Sequence, residues 1–352
     1  MPNFGKGKMQ KLKIGIYSPY LNILGGGERY LLTIAKMLSN DYEVFLFSDH
    51  ALKDKARVTF NISLDKVHFL SNASFKNFHI FFYMTDGSLF FPSAKKNFLI
   101  IQSPAHIPKF SLLNRLKLIN WNILCYSQYM EKIIKGKLRK SATILPPCIN
   151  IDRFRSNWRE KENIILTVGR FFPYPHNKKH DLLIDVFKKN YQKYFSSWKL
   201  IIAGGLTEDS GKKILSDLKR KSTGFPIEIL VNIPFSQLVK LYRLSKLYWH
   251  AAGFGEDIET HPERAEHFGI TTLESMAAGC VPLVYDAGGQ KDIVMNDQNG
   301  FLWSSEEELV NKTRLLINNT QLLQDLSKRA EKRVQNFSCA KFYEELDKLI
   351  TG

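Results

Sequence analysis

Residues 261–292 constrain the chain most: H-P-E-R-A-E-H-F-G-I-T-T-L-E-S-M-A-A-G-C-V-P-L-V-Y-D-A-G-G-Q-K-D. Glu266 and Glu274 lie eight positions apart and frame Phe268-Gly269. That pair reads as a tight loop, and Ile270 opens a helix. Thr271 or Thr272 is the expected N-cap and Gly279 the expected stop. Val281–Tyr285 reads as a short buried strand with Pro282 near its start. A glycine loop feeding a helix N-terminus offers unpaired N–H groups and a positive dipole end to an anion. A carboxylate before the loop suits sugar hydroxyls, and one a turn into the helix suits a ribose diol. The pattern describes a site for a sugar joined to a nucleotide through phosphate. The plainer alternative, two surface glutamates on a strand–helix unit, explains one glutamate better than a framed pair.

The same alternation runs through the rest of the chain. Residues 12–18 read as a strand, 19–27 as a loop ending in Gly25-Gly26-Gly27, and 28–38 as a helix with Leu31, Leu32, Ala35 and Leu38 on one face. Residues 42–48 form the next strand, so a parallel α/β sheet is expected. The nine-residue loop is not a G-x-G-x-x-G turn, which argues against a dinucleotide site. Further strands are expected at 78–84 and 98–102. His106 follows the second, at the carboxyl end of a strand, where open parallel sheets gather function. Pro146-Pro147 stiffens a linker and puts a domain junction near 150–160.

Beyond the junction, a strand at 163–169 leads directly into Arg170, and Lys178 closes the loop F-F-P-Y-P-H-N. A forked guanidinium and a point charge flanking one loop at a strand end form a clamp for a diphosphate. Strands at 198–204, 227–231 and 247–250 follow. A helix is expected at 236–244 with Ser236 as N-cap, and residues 306–349 read as helical with breaks near Asn318 and Asn336.

The segment 261–292 resembles the donor-site signature of retaining glycosyltransferases of the GT-B fold, specifically group 1 (GT4). So do Tyr248-Trp249-His250-Ala251-Ala252-Gly253-Phe254-Gly255, Val168-Gly169-Arg170 and Lys178-Lys179-His180-Asp181-Leu182-Leu183-Ile184. The C-terminal half resembles the family strongly and the N-terminal half loosely. The resemblance implies an α/β chain of two Rossmann-like domains facing across a cleft. Residues 1–155 would form the acceptor side, with the C-terminal helix 337–352 crossing back to it. Residues 156–336 would bind the nucleotide-sugar.

By the same resemblance, Glu266 engages the donor sugar, while Arg170 and Lys178 stabilise the leaving nucleoside diphosphate. His106 lies near the donor sugar, and Gly26 and Gly27 approach the donor phosphate. Asn232 and Ile233 contact the base. Phe268, Gly269, Ile270 and Thr271 supply loop and helix-start contacts, and Glu274 holds the ribose. The implied activity is retaining, metal-independent transfer of a mannose-like sugar from a UDP- or GDP-sugar to a hydroxyl of a glycan or lipid-linked acceptor. No cofactor is expected, the nucleotide-sugar being a co-substrate, and no D-x-D metal motif is present. A sugar-nucleotide epimerase, a phosphorylase, or a non-catalytic nucleotide-sugar-binding protein are the alternatives on this architecture.

Charge adds a location. Residues 1–150 hold 21 Lys and Arg against 8 Asp and Glu, so +13 of the net +16 sits there. Such a domain favours anionic surfaces, and the expectation is a cytoplasmic protein, peripheral at the membrane face. Residues 115–121 mix basic and apolar side chains, as a membrane- or acceptor-facing helix or an ordinary domain helix would. No nucleic-acid recognition motif accompanies the charge. Cys125, Cys148, Cys280 and Cys339 are scattered without metal spacing, which suits a reducing compartment. No apolar run reaches membrane-spanning length, and the first residues lack a signal-type apolar core.

Overall fold

The computed structural model describes residues 11–71, 75–173, 177–206 and 208–352. They divide into two compact units. The first holds the described residues to Cys125 together with 134–143 and 347–352, and the second holds 126–133 and 144–346.

The first unit is built on β1 (Lys13–Tyr17), β2 (Glu43–Phe47), β3 (His68–Leu70), β4 (Ile80–Met84), β5 (Lys96–Ile100), β6 (Asn122–Cys125) and β7 (Thr143–Ile144). They lie in the order β3-β2-β1-β4-β5-β6-β7, with β1 to β6 paired in parallel. A strand inside such a sheet is covered on both faces and reads as a continuous apolar run. β4, Ile-Phe-Phe-Tyr-Met, is buried at every position. The last helix, Cys339–Thr351, reaches this unit at its end, where Lys96 Nζ donates to the carbonyl of Ile350 at 3.1 Å.

The second unit repeats the winding. β8 (Glu162–Val168), β9 (Lys199–Gly204), β10 (Ile227–Val231), β11 (Ser245–His250), β12 (Val281–Tyr285) and β13 (Phe301–Trp303) lie in the order β10-β9-β8-β11-β12-β13, all parallel. In each sheet the order reverses beside the first strand, and a doubly wound sheet binds its ligands at the carboxyl ends of the strands at that switch. In the second unit this point lies between β8 and β11. Alternate residues of β11 serve opposite faces. Leu247 and Trp249 join the core with Phe187, Phe195 and Leu283, and the Trp249 indole N–H donates to Thr313 Oγ1 at 3.1 Å. Tyr248 and His250 face the other way by the same alternation.

Several local expectations change. The first helix runs Gly26–Leu38, so Gly26 and Gly27 are its first turn and Gly25 its N-cap, not a loop. The helix Phe235–Leu244 starts after Pro234, whose fixed φ of −56° is already suited to the entry, and Ser236 caps nothing. The helix Leu52–Phe60 and the short β3 are additional elements.

Candidate active site

Glu266 sits on the loop between β11 and the helix Ile270–Ala277. Lys178 Nζ lies 2.6 Å from its Oε2, and His250 Nε2 lies 3.3 Å from the same oxygen. The two acidic and basic side chains are 18% and 23% exposed, while His250 is 4% exposed. Burial pushes the Glu266 carboxyl up, but the Lys178 ammonium and the His250 imidazole outweigh it and hold the carboxyl well below the usual range. Burial also pushes His250 down, against the pull of Glu266, which favours the neutral ring. Nε2–H then donates to Glu266, and Nδ1 is buried without a partner among the described residues. His180, at the start of the helix His180–Asn190, is pushed down to about 3, first by burial and then by Lys178.

Three elements deliver these groups. β11 ends on His250 at the switch point, and β8 ends on Val168 beside it. Gly169 follows β8, and a Cβ there would fall 2.6 Å from Lys178 Cγ, so the missing side chain makes room for the lysine. The loop carrying Glu266 is held by its backbone, where Gly289 N–H donates to the Glu266 carbonyl at 2.8 Å.

The helix Ile270–Ala277 starts at Gly269, not at either threonine. Gly269 has φ +116°, a left-handed conformation that side chains resist, and a Cβ there would fall 2.7 Å from Gln290 Nε2. Gln290 is fully buried, and both its amide atoms lack partners among the described residues. The N–H groups of Thr272 and Leu273 bond the Gly269 carbonyl. Those of Gly269, Ile270 and Thr271 have no acceptor assigned among the described residues, as the first turn of a helix leaves them. Gly279, at φ +71°, ends the helix as expected.

Two tyrosines fix this helix. Tyr248 O–H donates to Thr271 Oγ1 at 2.8 Å and reaches toward the Val168 carbonyl, tying the helix start to the end of β8. Burial pushes both phenols well above their usual value, so they stay protonated donors. Tyr242 O–H donates to Glu274 Oε2 at 3.1 Å, and Glu274 is only 3% exposed.

The remaining expected residues are distributed as follows. Arg170 is exposed, with its guanidinium 5.5 Å over the Phe172 ring. Phe268 is buried edge-on to Phe337, leaving its backbone rather than its ring for a ligand. Asn232 follows β10, and its side chain bonds both backbone groups of Leu206; Ile233 comes next, half-buried. Residues 174–176 of the Arg170–Lys178 loop lie outside the described residues.

In the first unit, His106 is half-buried beside the Tyr20 ring at 5.6 Å, and burial pushes its pKa down against the pull of Asp86. A Cβ on Gly27 would fall 1.7 Å from Gln102 Oε1, the end of a side chain inside the same unit that would have to move aside. Glu28 takes the Gly25 N–H at 2.6 Å.

His250, Tyr248, Tyr242 and Gln290 were not singled out from sequence. The alternation of β11 places Tyr248 and His250 on one face and was the available signal. Lys179 was also missed; it pairs with Glu256 at 2.6 Å, and Glu256 with Arg264 at 3.2 Å. That network pins the loop after β11 to the helix following Lys178. Among the described residues, no group of three or more His, Cys, Asp or Glu side chains is placed to hold a metal ion.

The family described as Glycosyl transferases group 1 matches residues 149–333. A Xenopus laevis GDP-Man:Man(3)GlcNAc(2)-PP-Dol alpha-1,2-mannosyltransferase is 33% identical over 47% of this chain; the match spans 34% of that relative, about a third of its length. A Campylobacter jejuni alpha-1,4-N-acetyl-D-galactosaminyltransferase, acting on a diNAcBac-PP-undecaprenol glycan, is 24% identical over 96% of this chain and 98% of its own. The crystal structure of Anabaena HepE in complex with UDP superposes with a TM-score of 0.72 at 17% identity, over 97% of this chain and 100% of that one. The two sheets match the GT-B architecture of such structures.

Proposed function

The chain belongs to the group 1 glycosyltransferases, and on that premise we propose that it is a retaining, metal-independent hexosyltransferase. Its donor is a nucleoside-diphosphate sugar, GDP-mannose first. Its acceptor is a hydroxyl of a glycan carried on a polyprenyl diphosphate. The observation that carries this reading is the meeting of Lys178, Glu266 and His250 at the carboxyl ends of β8 and β11. The named mannosyltransferase relative supports the sugar. The full-length similarity to a transferase with an undecaprenyl-diphosphate acceptor supports the acceptor class. It also favours N-acetylgalactosamine as the second sugar to test.

In the reaction, the bond from the anomeric carbon to the phosphate oxygen breaks and a bond to the acceptor oxygen forms. The acceptor proton leaves with the nucleoside diphosphate. Negative charge grows on the departing β-phosphate. Lys178 has three N–H donors and spends one on Glu266; the others are free to meet that phosphate. Arg170 adds a forked contact, and the unpaired amides of Gly269 to Thr271 add fixed dipoles. These cations supply the charge a metal would otherwise bring. Glu266, held ionised, accepts hydrogen bonds from the donor sugar, with the neutral His250 fixing its orientation. Glu274, steadied by Tyr242, accepts from the ribose.

The test is a transfer assay with GDP-mannose, UDP-N-acetylgalactosamine and UDP-glucose on a polyprenyl-diphosphate glycan, with the product linkage read by NMR. The reading expects transfer from one donor with the anomeric configuration kept. An inverted linkage, or turnover of the donor with no acceptor present, would contradict it.

A further inference from the structure

The helix Leu112–Lys117, with the 3-10 turn Leu118–Asn120 that continues it, turns its apolar side outward. Leu112 is 78% exposed, Leu113 55%, Leu116 58% and Ile119 65%, while Leu118 on the opposite side is 4% exposed and seats the element on its unit. At about 100° per residue, positions 112, 113, 116 and 119 share one arc, and Arg115 and Lys117 fall on its two flanks. A helix on a water-facing surface shows the reverse arrangement. Phe110 and Phe91, 50% and 61% exposed, extend the patch.

Cations are laid over these rings. The guanidinium groups of Arg115 and Arg139 lie 5.6 and 5.7 Å from Phe110, and the Lys117 ammonium lies 5.9 Å from Phe91. No Asp or Glu occurs between Asp86 and Glu131. The element is firmly held. Ser111 Oγ accepts the Asn114 N–H at 3.2 Å, and Lys140 Nζ closes the far end on the carbonyls of Ile119 and Trp121 at 3.4 and 3.2 Å. The outward apolar face is therefore fixed in place by the fold.

We infer that this patch docks the first unit on an anionic lipid bilayer, the leucines entering the acyl boundary and the flanking cations meeting lipid phosphates. Apolar burial and headgroup attraction are the two contributions that hold an interfacial helix. Charge decides against a second copy of the chain. A two-fold interface sets a patch against itself, and here that would oppose cation to cation with no acid from residues 87–130 to relieve them. The inference does not depend on the proposed donor or linkage, only on this surface.

The experiment is vesicle co-sedimentation of the full chain, with neutral phosphatidylcholine alone or with about 30 mol% phosphatidylglycerol. The expected result is binding to the anionic vesicles, weakened as salt rises from ~0.1 to ~0.5 M. The variant Leu112→Glu/Leu113→Glu/Leu116→Glu should lose at least ~10-fold in partitioning, with unchanged circular dichroism and unchanged stabilisation by nucleotide-sugar. A second readout is Leu116→Trp, whose emission should shift to the blue on anionic vesicles and be quenched by brominated lipids. Equal partitioning of wild type and triple variant, or no quenching, overturns the inference. So does self-association abolished by the triple variant in the absence of vesicle binding.

Discussion

Glu266 combines two opposed influences on one carboxyl: burial that favours the acid, and an ammonium and an imidazole that favour the anion more strongly. Lys178→Ala removes the strongest single support of that anion and, on the proposed reading, a donor to the leaving phosphate. A fall of ~10²–10³ in kcat is expected, the scale of losing one oxyanion donor, with circular dichroism unchanged. The sign of the pH dependence follows from the lowered carboxyl. Its stabilisation is complete above the unfolded value of about 4.3 and is lost as pH falls through the lower folded value. Melting curves of wild type and Glu266→Gln should therefore differ by a constant amount above about pH 5 and converge under acid. His180 acts in the same direction for another reason. Its folded value of about 3 lies below an unfolded value of about 6.5, so only the unfolded chain takes the proton between them. Stability should fall by up to about 1.4 kcal/mol per pH unit through that window, and His180→Leu should flatten the slope. Both histidines of this cluster lie in stretches that carry the family resemblance, but neither has a role legible from sequence. A lone His gives no sign of which acid it will meet, and the partner of His250 is sixteen residues further along.

At the scale of elements, the helix Ile270–Ala277 and its glycine entry determine how the site is presented. Gly269→Ala must place a side chain at φ +116° and a Cβ 2.7 Å from Gln290 Nε2. A loss of about 1–3 kcal/mol in stability is expected by chemical denaturation, with weaker nucleotide-sugar binding by calorimetry, because the free amides belong to that turn. Equal binding would detach those amides from the donor. The strand before this helix and the stop at Gly279 were readable, because buried parallel strands and left-handed glycines leave plain signatures. The entry was misread, since two threonines resemble a cap more than a glycine does. The helix Leu52–Phe60 went unread because only Leu52 and Ala56 are buried, too few for a periodic stripe. β3 spans three residues with none fully buried, so it shows no alternation. For residues 115–121 the sequence admits both a membrane- or acceptor-facing helix and an ordinary domain helix, because a stripe of leucines does not say which side the core will take.

At the scale of the molecule, two sheets with one winding order share the chain unequally. The second carries the matched family region, and the first carries most of the net charge. The C-terminal unit was legible because its motifs lie at strand ends whose positions the winding fixes. The N-terminal unit offers a basic surplus, one histidine and the Gly26-Gly27 pair. Among the described residues no helix is long and apolar enough to cross a membrane. A donor held mainly by the second unit should stabilise the folded chain, by about 2.7 kcal/mol at a hundred times its Kd, in a thermal scan against GDP- and UDP-sugars. The most direct test of the donor site is a crystal structure of the chain with an intact nucleoside-diphosphate sugar. The predicted result has the β-phosphate within hydrogen-bonding reach of Lys178 Nζ and the Gly269 to Thr271 amides, and a sugar hydroxyl on Glu266. A diphosphate seated away from the carboxyl ends of β8 and β11, with the Lys178–Glu266 pair untouched, would contradict it.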